Sequence, residues 1–289
     1  MTLRLRRHEF ADDHKLMMAI VNRTPDSFFD QGATWAEDKA FERVVTVVDQ
    51  GAEIVDIGGI KAAPGVEIDA AEEKARVVDF VARVRESFPG LVISVDTWRA
   101  EVGDAVCAAG ADVLNDAWGG ADPELVDVAA QHDAAIICTH TGGVTPRTRP
   151  YRLEYDDVVA AAIADTMAYA DRAVAAGVRE ESVVIDPAHD FGKNTFQSLE
   201  VTRRIGDMVE AGHGRPVLVS LSNKDFVGES LDLPVGERLI GTLAATALCA
   251  QAGARIYRVH QVVETRQTVD MVDVITGVKR PLRAIRGLQ

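Results

Sequence analysis

One signal recurs four times along the chain and limits its fold more than any other. Gln50-Gly51-Ala52, Ala109-Gly110-Ala111, Ala176-Gly177-Val178 and Ala252-Gly253-Ala254 each stand between a stretch of helical periodicity and an apolar, β-rich run. A glycine there suits the left-handed position just past a helix end. Apolar runs of strand length predict eight strands, at 16–21, 54–57, 91–95, 113–114, 135–138, 183–185, 217–221 and 256–259. Helical periodicity falls between and after them, at 36–50, 70–87, 99–109, 123–131, 155–176, 196–211, 235–251 and 262–275. Eight strands alternating with helices over 289 residues predict a TIM (β/α)8 barrel of parallel strands inside a ring of helices. An open doubly wound sheet fits less well, because no Gly-x-Gly-x-x-Gly follows the first strand. No linker divides the chain, so residues 1–289 read as one domain, with 1–14 as a frayed lead-in.

The strand ends carry the chemistry. In Val183 to Lys193 (VVIDPAHDFGK) an apolar run delivers Asp186 to its C-terminal end, and Pro187 then turns the chain out of extended structure. The same pattern brings Asn22, Asp56, Asp96, Asn115, Lys224, Arg258 and His260 to strand ends or just beyond them. In a parallel barrel these residues gather at one mouth. Amides and carboxylates mixed with three potential cations suit a polar heterocycle with an anionic tail. Blander roles compete. Asp96 and Asp122 both precede helices and could cap them; recurring partners on other strands favour a ligand role for Asp96, and Asp122 reads as a cap. Asp56 could equally bond loop backbone near Asn22. Arg258 and His260 are two apart and share one side of the strand end. His140 and His189 fit solvated or loop-packing roles as well as functional ones. Trp35, Trp98 and Trp118 could floor the site or cover helix starts. The acidic stretch 69–73 reads as a solvated face, and Asn194 or Thr195 as the cap of the next helix.

A net charge of −14 argues against a nucleic-acid partner, so an anionic ligand would need a local basic pocket. Cys107, Cys138 and Cys249 stand among apolar neighbours with no metal-ligand spacing, as reduced core residues of a cytoplasmic protein do. No apolar stretch follows Arg4, Arg6 and Arg7 as in a signal sequence, and none approaches the ~20 residues of a membrane span. A soluble protein with no membrane partner is expected.

Seven stretches, NRTPDSFFDQG, IVDIGG followed by PG, ISVDT, LNDAWGG, DPAHDFGK, SLSNKDF and YRVH, appear in the order and spacing of the dihydropteroate synthase family, which the chain resembles along nearly its whole length. Family enzymes join dihydropterin hydroxymethyl pyrophosphate to p-aminobenzoate and release pyrophosphate. The resemblance implies that Asp96, Asn115 and Asp186 bond the pterin edge, that Lys224 reaches its ring oxygen and nitrogen, and that Arg258 covers its face. It further implies pyrophosphate contacts from Asn22, Arg258 and His260, Mg2+ on the Asn22 side, and Asp30 facing the developing cation, with Asp30 and Arg258 as the catalytic pair. A homodimer built through helices distant from the site is also implied.

Departures from the family cluster on one side. After strand two, members read Gly-Gly-Glu-Ser-Thr-Arg-Pro-Gly, whereas this chain reads Gly58-Gly59-Ile60-Lys61-Ala62-Ala63-Pro64-Gly65. The lost Thr-Arg pair normally binds pyrophosphate and p-aminobenzoate, and charge-assisted hydrogen bonds contribute about 1.5–3 kcal/mol each. Lys61 could restore one charge, one position early. Asp225 replaces a serine near the p-aminobenzoate carboxylate and is expected to repel it and to take up the helix-end potential. Arg23, Phe29, Gln31 and Gln261 also differ, and Ala188-His189-Asp190 replaces a glycine-rich run. The expectation is a homologue with a retained pterin cradle and no efficient synthase activity. An active synthase with compensating loops and a pterin-binding methyl-transfer barrel are the alternatives; Asn22, Arg258 and His260 count against the last.

Overall fold

The computed structural model describes residues 2–23, 37–148 and 153–286. The chain opens with a hairpin, β1 (Leu3–Leu5) against β2 (His8–Phe10), antiparallel with Leu3 opposite Phe10. The frayed lead-in expected for residues 1–14 is therefore corrected. Leu3 and Leu5 are fully buried, and Arg6 donates to Ala111 O at 2.6 Å, which fastens the hairpin to the body.

Eight parallel strands follow: β3 (Leu16–Asn22), β4 (Ile54–Gly58), β5 (Val92–Asp96), β6 (Val113–Asp116), β7 (Ala135–Thr139), β8 (Val183–Asp186), β9 (Leu218–Val219) and β10 (Ile256–Val259). Their order is β8-β7-β6-β5-β4-β3-β10-β9. A bridge between Ile185 and Val217, with Ile185 N donating to Pro216 O at 3.1 Å, brings the two edge strands together and nearly closes the barrel.

The helices are α1 (Glu37–Asp49), α2 (Ala70–Ser87), α3 (Ala100–Ala109), α4 (Leu125–Gln131), α5 (Val158–Ala175), α6 (Thr195–Arg203), α7 (Ile205–Ala211), α8 (Asp225–Leu231), α9 (Leu239–Gln251) and α10 (Val262–Ile275). The four punctuating glycines have φ of 89°, 117°, 108° and 102°, as the helix-stop pattern requires. The single helix expected at 196–211 is two, because the backbone leaves helical geometry at Arg204 (φ −109°, ψ 24°). The helix expected to start at 235 begins with a 3-10 turn, Val235–Glu237, before α9. Helix α8 was not expected. Asn194 caps α6 in a capping box with Gln197, in line with the sequence.

Strand periodicity of two explains how the barrel becomes a site. Inner positions near the strand starts are apolar, with Leu16, Met18, Ile54, Val92, Val113, Ala135, Ile137, Val184, Leu218 and Ile256 packing on Leu3 and Leu5 of the hairpin. Two residues further along the same face, the side chains turn polar: Ile54 gives way to Asp56, Val113 to Asn115, Val184 to Asp186 and Ile256 to Arg258. Helices cover the outer face, where Val55, Ile57, Ile93, Leu114, Ile136 and Ile185 belong to the larger apolar cluster.

Candidate ligand-binding site

At the C-terminal mouth the polar inner positions line a cavity of about 500 Å³. Asn22, Asp96, Asn115, Asp186, Lys224, Arg258 and His260, drawn from six strands or the turns just after them, all border it. So do Lys61, Ala62, Ala63 and Asp225. Asp30, with Phe29, Gln31 and Trp35, lies outside the described residues.

Asp56 is the hub beneath this cavity. Fully buried, it accepts from Ser94 Oγ at 2.7 Å, Asn115 Nδ2 at 3.1 Å and Arg258 Nε at 2.7 Å. It bonds these side chains in place of the loop backbone considered from sequence, and it does not itself line the cavity. Two orientations follow. Asn115 commits its amide nitrogen to Asp56 and leaves Oδ1 as an acceptor. Arg258 is held by Asp56 along one edge and by Asp96 at 3.2 Å along another, which fixes its plane. Asp96, sharing Arg258 with a better-bonded neighbour, is pushed up to about 7 by burial, against the pull of Arg258. Asp186 is raised by burial while its Oδ1 accepts Ala188 N at 2.7 Å.

Burial lowers Lys224, whose ammonium donates to His189 O and stands 4.9 Å over the Phe191 ring. Lys193 also lines the cavity; it donates to Phe191 O at 3.0 Å and Ala188 O at 3.1 Å, and burial brings it down to about 7. Trp118 forms part of the wall, edge-on to Trp98 at 6.2 Å and to Phe191 at 5.5 Å. His140 and His189 are buried packing residues, held below their ordinary range by burial, and neither lines the cavity. Asp122 accepts Ala100 N at the start of α3 at 2.8 Å, a helix other than the one it precedes, while its second oxygen accepts Glu124 N at 3.1 Å just ahead of α4. The acidic stretch 69–73 is only partly a solvated face: Asp69 caps α2, and Glu73 is buried against Arg99.

A family model described as "Pterin binding enzyme" matches residues 18–260. The chain is 54% identical over 282 residues to a protein named inactive dihydropteroate synthase 2 from Mycobacterium tuberculosis, covering 96% of this chain and 88% of that relative. It is 38% identical to the dihydropteroate synthase of Bacillus subtilis over 262 residues, 90% of this chain and 88% of the other. The Yersinia pestis dihydropteroate synthase, solved in complex with a sulfonamide drug, superposes with a TM-score of 0.90 at 30% identity, covering 96% of this chain and all of that one. The chain belongs to the dihydropteroate synthase family.

Within the dihydropteroate synthase frame, the departures after β4, β8, β9 and β10 have structural counterparts. The loop after β4 places Lys61, Ala62 and Ala63 on the cavity, and Arg147 reaches across from the loop after β7 to donate to Ala63 O at 3.4 Å and Val66 O at 2.5 Å. The protein itself thus ties this loop. In place of the glycine-rich run, Ala188 and Asp190 keep glycine-type backbone, with φ of 50° and 67°. Left-handed geometry costs about 1–2 kcal/mol for an ordinary residue. Asp190 Oδ2 accepts Phe226 N near the start of α8 at 3.2 Å, and Oδ1 accepts Ser198 Oγ at 3.0 Å. The helix-end position expected for Asp225 is thus taken up by Asp190. Asp225 is instead paired with Arg238 at 2.9 Å. Glu229, one turn further along α8, completes an acidic wall. Gln261 Oε1 accepts from Ser222 Oγ at 3.2 Å and Asn223 Nδ2 at 3.3 Å, tying the β9 and β10 loops.

Sequence reasoning missed Asp56's role as hub, Glu229, and the polar residue of β7, Thr139. Parity carries the signal for the first and last: each lies an even number of residues beyond an inner apolar position. Glu229 was out of reach because α8 itself was not anticipated.

Proposed function

We propose that this dihydropteroate synthase homologue cradles a pterin-like ring without running the synthase reaction, and that it acts outside folate synthesis. One contrast carries the proposal. Ring-binding groups converge on a single cavity, while the wall that would meet a carboxylate-bearing amine presents Asp190, Glu229 and Asp225, of which Asp225 is partly offset by Arg238. Like charges in a partly desolvated site repel strongly. The naming of the 54%-identical relative as inactive supports the same conclusion.

In this assignment Asp96, Asp186 and the free oxygen of Asn115 accept the N-H edge of the ring, Lys224 meets its acceptor atoms, and the Arg258 plane covers its face. Asn22, Arg258 and His260 face the pyrophosphate end; of the catalytic pair that the resemblance implies, Arg258 borders the cavity and Asp30 lies outside the described residues. Mg2+ fits only as the companion of a phosphorylated ligand. Among the described residues no three His, Cys, Asp or Glu side chains form a metal group, and Asn22 offers one oxygen; Mg2+ characteristically takes few protein ligands plus phosphate oxygens.

Calorimetric titration of the protein with 6-hydroxymethylpterin should show saturable binding. Addition of p-aminobenzoate to protein loaded with dihydropterin pyrophosphate and Mg2+ should yield no dihydropteroate above background. Steady product formation would overturn the inactive assignment, and Mg2+ alone should give no binding heat.

A second copy of the chain is the proposed partner for an apolar face away from the mouth. Ile240, Ala244 and Leu248 follow one another at four-residue spacing on α9 and are exposed, as are Met271 and Ile275 on α10. Analytical ultracentrifugation should find a dimer that Ile240→Glu converts to monomer; a monomeric parent protein would refute it. Among the described residues no helix is long and apolar enough to cross a membrane, and the three cysteines are free and buried, which supports a cytoplasmic setting.

A further inference from the structure

Seven of the eight barrel strands have a mouth residue with an assigned ligand, a protein partner or both, and the exception is β7. Its last residue, Thr139, lies two positions beyond the inner-facing Ile137 and pairs across the sheet with Asp186. Thr139 is 4% exposed, borders the cavity, and its hydroxyl has no hydrogen-bond partner among the described residues. Two neighbouring hydroxyls are committed: Ser94 Oγ, beneath the cavity, donates to Asp56, and Ser222 Oγ accepts from His260 N at 3.2 Å.

We infer that Thr139 is a ligand-binding and specificity-determining residue, whose hydroxyl donates to an acceptor atom on the bound ring beside the group taken by Asp186. The inference rests on the ring-cradle assignment above. Shape alone does not call for a hydroxyl here. Valine has the same branched form, fills nearly the same volume and suits a strand as well. Leaving a buried hydroxyl unsatisfied is costly, and such a cost is tolerated where a ligand removes it.

The neighbours define what the hydroxyl adds. Asp186 and the oxygen of Asn115 accept hydrogen bonds, so each needs an N-H on the ligand. Thr139, between them in strand order, supplies a donor. The ligand edge that engages all three and uses the hydroxyl as a donor has an acceptor, a ring carbonyl or ring nitrogen, set between N-H donors. A purely donating edge would leave Thr139 as an acceptor only, and an apolar edge would leave it orphaned. The chemical class is a flat amino-oxo heterocycle whose donor and acceptor atoms alternate along one edge.

Thr139→Val and Thr139→Ser should be compared with the parent protein by thermal unfolding without ligand and by calorimetric titration with 6-hydroxymethylpterin. The expected result is a valine variant that melts at or above the parent temperature yet binds about tenfold more weakly, with serine within about twofold of the parent. Equal binding by parent and valine variant overturns the proposal. So does a valine variant that melts several degrees lower, since the hydroxyl would then serve the protein itself. If the parent protein shows no binding, the cradle assignment falls and this proposal with it, an outcome distinct from tight parent binding that valine leaves unchanged.

Discussion

Asp56→Ala should cost the protein about 3–5 kcal/mol of stability, the range observed when one member of a buried charged pair is removed. The substitution strands the guanidinium of Arg258 with only Asp96 at 3.2 Å, and it takes the acceptor from Ser94 Oγ and Asn115 Nδ2 at once. Three side chains lose a shared partner in a place where water does not readily replace it. Urea unfolding measures the loss, and titration with 6-hydroxymethylpterin should detect no binding even under conditions where the variant is folded. A loss below about 1 kcal/mol would show that the hub does not support the site, because surface substitutions fall in that range.

Asp96→Asn should do the opposite to stability and the same to binding. The Asp96 carboxyl is raised to about 7 by burial, so between pH about 4 and about 7 the folded protein holds a proton that the unfolded chain has released. Parent stability therefore falls across that window, and above it the folded state carries a buried anion at full cost. Asparagine has no proton to lose. Its advantage should grow from pH 4 to pH 7 and stay constant beyond, reaching at least about 1 kcal/mol, since even a tenfold difference in proton affinity between folded and unfolded chain is worth about 1.4 kcal/mol. Pterin binding by the parent protein should tighten as pH rises through 7, because the ring N-H needs the carboxylate form; the variant should bind weakly at every pH. Melting curves at pH 5 and pH 8 with titrations at the same two values decide it, and a variant less stable than the parent at pH 8 would contradict the account. Such a site trades stability for ligand recognition, a common arrangement in binding cavities.

The barrel was legible because its code is local. An apolar run, a glycine stop and an amphipathic stretch each declare themselves within a dozen residues, and the strand expected at 183–185 differs from β8 by one residue. The strand expected at 217–221 shrinks to Leu218–Val219 because pairing depends on the neighbours' register: Arg255 N donates to Val217 O at 2.9 Å, outside the regular ladder. Helix α8 escaped because Asp225–Leu231 is too short for periodicity to identify. The mouth residues were legible by type and by parity. Their couplings were not, because the distance from Asp56 to Arg258 is 202 residues in sequence and one hydrogen bond in space. Charge at the second-substrate wall escapes sequence reasoning for the same reason: the partners that decide it, Arg238 for Asp225 and Phe226 N for Asp190, are brought up by the fold.

The hairpin at the start of the chain has a consequence for traffic. Leu3 and Leu5 stopper the barrel from beneath, packed on the inner residues of the strands, so the tube has a floor and one door. Whatever occupies the cavity enters and leaves on the mouth side, where the loop after β4, held by Arg147, contributes part of the lining. Residues that look most dispensable in the sequence thus cap the packed interior at the end opposite the mouth.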